Sequence, residues 1–154
     1  MGVRADLLIS GTSDVFDLRT GTVIDWKTMG DTAKRKLATD GPSHGYEVQI
    51  QTYGLGYYRA GFPVRKVALM FLPRSGLLRD ARYYEWGFDP SIAHAAIERV
   101  YRIGKSVVEL QGGDRRAEMW DQVPRSPSNL CGWCPFFKKG ALSVTSRGCP
   151  GSSK

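Results

Sequence analysis

Two carboxylates and an amine stand close together early in this chain. Gly11-Thr12-Ser13-Asp14-Val15-Phe16-Asp17 is followed by Val23-Ile24-Asp25-Trp26-Lys27-Thr28. On a β-strand successive side chains alternate faces, so Asp25 and Lys27, two apart, project together. Trp26 between them projects the opposite way, toward an expected core. If the strand after Asp14 pairs with the strand holding Asp25, a second carboxylate joins the same site. Two carboxylates suit magnesium, a hard cation that takes oxygen ligands and keeps several waters or phosphate oxygens. Such a cation polarises a phosphate and makes bound water a better nucleophile. A lysine beside it stabilises developing charge or orients the attacking water. An ordinary surface ion pair explains Asp-x-Lys equally well, so the tripeptide alone decides nothing.

A second pair is Gln49 and Tyr53, four apart in Gln49-Ile-Gln-Thr-Tyr53. On a helix they share one face, where an amide and a phenol can contact a phosphate oxygen or fix the lysine. Plain packing of Tyr53 and solvation of Gln49 is the competing reading. Gln51 is expected at the surface. Cys131, Cys134 and Cys149 form a third group, confined to one end of the chain. Three clustered cysteines make a poor disulfide framework and suggest metal or cluster ligation instead.

The elements that must position these groups follow from periodicity. Short apolar runs at Ala5–Ile9, Val15–Leu18 and Thr22–Trp26 read as strands, with Arg19-Thr20-Gly21 as a hairpin connection. Residues 29–45 are polar, contain Gly30, Gly41 and Pro42, and read as a loop, either simply solvated or a flap whose Lys34, Arg35 and Lys36 contact phosphates. Tyr46, Ile50, Tyr53 and Tyr57 recur at helical spacing over 46–60, with Gly61 and Pro63 as a stop. Gly54 and Gly56 lower helix propensity there but permit close packing on a sheet. Residues 64–72 and 81–88 read as strands. Asp89 or Ser91 caps a second helix, with Pro90 in its first turn. Its stripe is Ala93, Ala96, Ile97, Val100, Ile103 and Val107. From Met119 the chain is rich in Pro, Ser, Gly and Cys and holds too few apolar residues for a core of its own. The order implies an α/β fold with a mixed central sheet and flanking helices, residues 1–118 as core and 119–154 as an irregular cysteine-rich segment packed on it.

Bulk properties narrow the classes further. A length of 154 residues suits one core. Hydrophobic residues at 42% and charged residues at 24% exclude wholesale disorder. No apolar run is long enough to cross a bilayer, and residues 1–6 lack a signal-peptide pattern, so a cytoplasmic protein is expected. The formal charge of +7 favours a polyanionic partner.

Gly11/Asp14, then Asp25/Lys27 on the next strand, then Gln49/Tyr53 on the next helix resemble the RecB-type branch of the PD-(D/E)XK nucleases. The likeness is close over residues 6–61 and loose beyond. It implies a restriction-endonuclease-like fold and a magnesium- or manganese-dependent deoxyribonuclease, in particular an exonuclease. By the resemblance, Asp14, Asp25 and the Trp26 carbonyl hold the metal and Lys27 is catalytic. Gln49 and Tyr53 support the site or the DNA. It further implies DNA that is single-stranded or has free ends as partner. Recombination, repair or phage DNA processing is the setting, with recombination or replication proteins as associates.

Cys131-Gly-Trp-Cys134-Pro-Phe-Phe and Cys149-Pro-Gly resemble the C-terminal cysteine set of the CRISPR-associated and AddB-type iron–sulfur exonucleases. This implies a 4Fe–4S cluster. In those proteins a preceding segment supplies a fourth cysteine, and this chain has none; the spacing from Cys134 to Cys149 is also longer. Zinc, with His44 or His94 as fourth ligand, is the alternative.

Two rival readings remain open at this stage. One is a non-catalytic DNA-binding module, using Trp133, Phe136 and Phe137 beside Lys138 and Lys139 for stacking and phosphate contact. The other is a metal-stabilised interaction module built on the cysteines. Asp14 and Asp25 weigh against the first, because paired carboxylates repel phosphate unless a cation intervenes.

Overall fold

A computed structural model describes residues 9–111, 131, 134, 137–139 and 149. The chain divides into two compact units, residues 1–98 and 99–154. Unit one is an α/β arrangement on a four-stranded mixed sheet. Its strands are β1 (Val15–Asp17), β2 (Thr22–Met29), β3 (Lys66–Pro73) and β4 (Arg82–Gly87), in the spatial order β1-β2-β3-β4. Its helices are α1 (Asp31–Asp40) and α2 (His44–Arg59); α3 (Pro90–Gln111) begins in this unit, and the division falls within it. The expected strand over 5–9 lies largely outside the described residues. Among the described residues no helix is long and apolar enough to cross a membrane.

β1 and β2 form the expected hairpin. Gly21, at φ +69°, closes it by donating its N–H to the Asp17 carbonyl at 2.8 Å. The Asp17 carboxylate accepts from Thr20 Oγ1 at 2.7 Å and from the Arg19 N–H at 2.9 Å. Those bonds, the Thr20 hydroxyl first, hold its carboxyl below the ordinary value of 3.8. β2 then runs parallel to β3, which requires a crossover of a dozen or more residues, and α1 and α2 supply it.

The register sorts the sheet into two faces. Val23, Asp25, Lys27 and Met29 of β2 line up with Val67, Leu69 and Phe71 of β3 and with Trp86, Tyr84 and Arg82 of β4. Val23, Val67, Leu69 and Ile50 of α2 are fully buried there, with Met29, Leu37 and Phe71 alongside. Burial of each of these side chains contributes about 1.5–3 kcal/mol. Leu37 is what anchors α1 to the core.

α1 corrects the loop expected over 29–45. Its sequence, DTAKRKLATD, has no Gly or Pro and several good helix formers. With one buried residue in ten, however, it shows no apolar periodicity. Gly41, at φ +70°, ends it by donating its N–H to the Leu37 carbonyl at 3.0 Å.

α2 needs its glycine at position 54. A Cβ there would stand 2.8 Å from the Phe88 ring and 2.9 Å from Val67, so the helix reaches the sheet only because that atom is missing. Gly56 differs: a Cβ there meets nothing within 4 Å, so this glycine does not serve the packing expected of it. Gln51 is also corrected. It is 1% exposed rather than a surface residue. Its amide donates to the Gly87 carbonyl and accepts the Asp89 N–H, both at 2.9 Å, stitching α2 to the β4–α3 turn. Asp89 caps α3 through the Ser91 N–H at 2.9 Å, with Pro90 at the first helical position. Ala93 is buried in that helix, but Val100 of the expected stripe is half exposed.

In the second unit, Phe137 forms an isolated parallel bridge with Cys149, and Lys138 N–H donates to the Cys149 carbonyl at 2.8 Å. Trp133 and Phe136 fall outside the described residues.

Candidate active site

The site grows from the end of β1. Val15 pairs with Ile24, Phe16 with Val23 and Asp17 with Thr22. Continued by one step, this register sets Asp14 opposite Asp25. Directly opposed residues of an antiparallel pair project from the same face. The Trp26 N–H is the next donor on β2 directed at β1. Asp14 takes it with its own carboxylate, Oδ2, at 2.6 Å. That bond gives Asp14 a structural duty and leaves its other oxygen unassigned. In an extended residue the N–H and C=O lie on the same side, as the paired exchange of antiparallel ladders requires. The Trp26 carbonyl is therefore turned toward Asp14 as well. The Trp26 side chain does project to the opposite face, as expected, but it is 54% exposed and does not enter a core.

Asp25 is only 5% exposed, with Val23 and Leu69 beside it in the sheet. Lys27 Nζ lies 2.5 Å from its Oδ2. The two atoms touch without hydrogen-bond geometry, and Oδ2 is the one buried side-chain polar atom among the described residues left without a hydrogen bond. Burying a charged oxygen in that state is costly unless something positive completes it. One ammonium is already present. Two carboxylates and the Trp26 carbonyl are oxygen donors of the kind a hard divalent cation takes, its protein ligands being commonly one or two carboxylates.

The lysine is held from the other side by an aromatic ring. Lys27 Nζ stands 5.9 Å from the centroid of the Tyr46 ring, which itself makes an edge contact with Phe71 at 5.3 Å. A cation over an aromatic face is attracted by its quadrupole. Sequence reasoning assigned Tyr46 to the packing stripe of α2 and missed this role. Its place in the first turn of α2, one turn before Gln49, was the available signal.

Gln49 and Tyr53 find each other: Gln49 Nε2 donates to the Tyr53 hydroxyl at 3.0 Å. Tyr53 packs on the core cluster and also meets the Gly11 backbone. A Cβ on Gly11 would stand 2.7 Å from the Tyr53 ring. The glycine three residues before Asp14 thus permits the segment leading into β1 to lie against α2. Gly11, Asp14, Asp25, Lys27 and Tyr53 are joined through one hairpin and one helix face, with Tyr46, rather than Tyr53, at the lysine.

The basic residues expected to touch phosphate lie on α1. Arg35 and Lys36 are exposed. Lys34 donates to Asp80 Oδ2 at 2.6 Å, and that bond is the main reason the Asp80 carboxyl sits below its ordinary value. His44 is exposed and lies 3.3 Å from Glu47; His94 is exposed on α3. Cys131, Cys134 and Cys149 are free thiols, with the Cys134 N–H donating to the Cys131 carbonyl at 3.0 Å. Among the described residues no three His, Cys, Asp or Glu side chains form a metal-holding group, so the cation fit above rests on two carboxylates and a carbonyl.

No family model matches the chain, and no curated protein and no solved structure matches it significantly.

Proposed function

We propose that the chain is a magnesium- or manganese-dependent deoxyribonuclease of the PD-(D/E)XK type that hydrolyses phosphodiesters in DNA, as an exonuclease. One observation carries the reading: a buried aspartate with an unbonded oxygen, opposite a second aspartate on one sheet face, with a lysine ammonium at 2.5 Å. The net charge of +7 supports a polyanionic substrate.

Asp14, Asp25 and the Trp26 carbonyl would hold the cation, which when bound supplies Lewis-acid polarisation of the phosphate and a more acidic water. Lys27 presents an N–H to a non-bridging phosphate oxygen as negative charge builds at phosphorus. Asp25 holds the Lys27 ammonium close. Tyr46 limits where the ammonium swings, so little reorganisation is needed when the phosphate arrives. Gln49 and Tyr53 fix the α2 wall against which the hairpin sits. Exposed Arg35 and Lys36 on α1 offer positive charge to the DNA backbone. The cysteines stand outside these steps; a 4Fe–4S cluster or zinc there is part of the same proposal, as a stabilising group.

The test is cleavage of end-labelled single- and double-stranded DNA with magnesium, manganese or EDTA. Asp25→Ala is expected to reduce cleavage to background. Lys27→Ala is expected to lower kcat by about 10²–10³-fold, the usual cost of one oxyanion-stabilising donor, while DNA binding is largely retained. Equal cutting by wild type and Asp25→Ala overturns the reading.

A further inference from the structure

Beside Asp14 the molecule opens a cleft of about 390 Å³ between the segment entering β1 and the outer face of α2. We propose that this cleft is a nucleoside subsite, which receives the sugar and base attached to the phosphate held at Asp14, Asp25 and Lys27. Its place in the reaction rests on the nuclease reading; its existence as a binding site does not.

The lining selects the ligand class. Among the described residues no side chain lining the cleft is charged, so none of them compensates a phosphate. What it offers instead is a set of hydroxyls from Ser10, Thr12, Ser13 and Thr52 and the aromatic surface of Tyr57 and Phe62. Apolar walls with a few convergent polar groups are the usual make-up of a small-molecule site, and the volume falls within the common range of about 300–1,000 Å³. A neutral, flat ligand with hydrogen-bonding edges matches both features. Nucleobases have these properties, and stacking on aromatic side chains is how they are commonly bound.

Position points the same way. Ser13, in the wall, immediately precedes Asp14. Tyr53, also in the wall, is the ring against which Gly11 lies. On this proposal a nucleoside in the cleft presents its phosphate toward the Asp14 end of the hairpin. The aromatic wall is braced in advance: Phe16 stacks on Tyr57 at 5.0 Å, and Phe62 stands edge-on to both at 5.3 and 5.4 Å. Ser13 Oγ donates to the Tyr57 hydroxyl at 3.3 Å, a long bond that a ligand can replace.

Gly56 gives the cleft its depth. It lines the cavity, and a Cβ built on it meets no atom within 4 Å. A Cβ at Gly56 therefore meets open space, and Gly56→Leu extends an apolar side chain from this wall of the cleft while improving helix propensity.

The full chain, free of divalent cations, is titrated with thymidine and deoxyadenosine while backbone amide NMR shifts are followed. Saturable shifts at Gly11, Ser13 and Gly56 are expected, with affinity at least tenfold weaker in Gly56→Leu at an unchanged or raised Tm. If leucine lowers the Tm, Gly56→Ala serves, with a smaller expected loss. No shifts at those amides, or equal shifts in the plugged variant, overturn the subsite. A chain that binds thymidine there but cuts no DNA overturns the nuclease reading alone. Asp25-dependent cutting that Gly56→Leu leaves at wild-type kcat/KM overturns the subsite alone.

Discussion

Lys66–Glu85 and Lys27–Asp25 are both lysine–carboxylate pairs on the same sheet, and they are finished to different degrees. On one face Glu85 spends both oxygens: Oε1 accepts from Lys66 at 2.7 Å and Oε2 from the Tyr83 hydroxyl at 3.0 Å. Both partners are partly exposed, so water can complete the arrangement. On the opposite face Asp25 is buried and its Oδ2 has a neighbouring ammonium but no hydrogen bond. The second is buried and rests on the Lys27 ammonium alone, and on the reading proposed above a bound cation would complete it.

The most direct way to break that comparison is to add the cation. Millimolar magnesium is expected to raise the Tm of the wild type, because a ligand that binds only the folded state stabilises it, by about 2.7 kcal/mol at a hundredfold excess over Kd. Asp25→Asn is expected to lose that shift and, in EDTA, to melt below wild type, since it leaves the Lys27 ammonium without its ion-pair partner. Glu85→Gln is expected to keep the full magnesium shift. Thermal melts of the three proteins with magnesium and with EDTA decide it. Equal magnesium shifts in wild type and Asp25→Asn would place the cation elsewhere.

The comparison also explains what the sequence disclosed. Alternation placed Asp25 and Lys27 on one face, and the Gly-containing connection after Leu18 foretold the hairpin that brings Asp14 opposite Asp25. The tyrosine stripe located α2, and Asp89-Pro90 marked the start of α3. The same rules failed where tertiary context decides. α1 was invisible because it buries little beyond Leu37. Gln51 looked like a surface residue because its burial depends on Gly87 and Asp89, which arrive from 36 and 38 positions away. Trp26 was assigned to a core because large aromatics usually enter one. Gly54 and Gly56 are identical in sequence terms; only the positions of Val67, Phe88 and the cleft tell them apart. Of the site, the ion pair was legible from spacing, while its missing hydrogen bond and the Tyr46 ring were not.

A smaller effect separates Tyr46 from a packing residue. A cation over an aromatic ring contributes about 0.5–1 kcal/mol when partly exposed, which converts to a two- to fivefold change in rate. Tyr46→Phe keeps the ring and is expected to retain kcat. Tyr46→Leu is expected to lose two- to fivefold in kcat with KM unchanged, because the ammonium is less well placed. Tyr46→Phe keeps the edge contact with Phe71 and Tyr46→Leu loses it, so a purely structural role would lower the Tm of the leucine variant and leave kcat alone. Equal kcat in Tyr46→Leu and wild type removes Tyr46 from the site.

The finished pair should respond to pH and to nothing in catalysis. Hydrogen bonds from Lys66 and then Tyr83 hold the Glu85 carboxyl below its ordinary value of 4.5. A depressed folded-state value means that its stabilising contribution is present above the unfolded value and lost as pH falls through the folded one. Tyr83 shifts the other way. Burial, then its bond to Glu85, pushes the phenol from 10.0 up to about 12. A raised value means that its contribution is complete below pH 10.0 and lost as pH rises toward about 12. Melts of wild type and Tyr83→Phe across the alkaline range are expected to diverge there, the wild type falling more steeply. Glu85→Gln is expected to flatten the acid limb. On the proposed reading, DNA cleavage at neutral pH should be the same in all three, because this pair stands on the face away from Asp25. A loss of cleavage in Tyr83→Phe would mean that the two faces are coupled through β3, and that the contrast between a structural pair and a working one has been drawn in the wrong place.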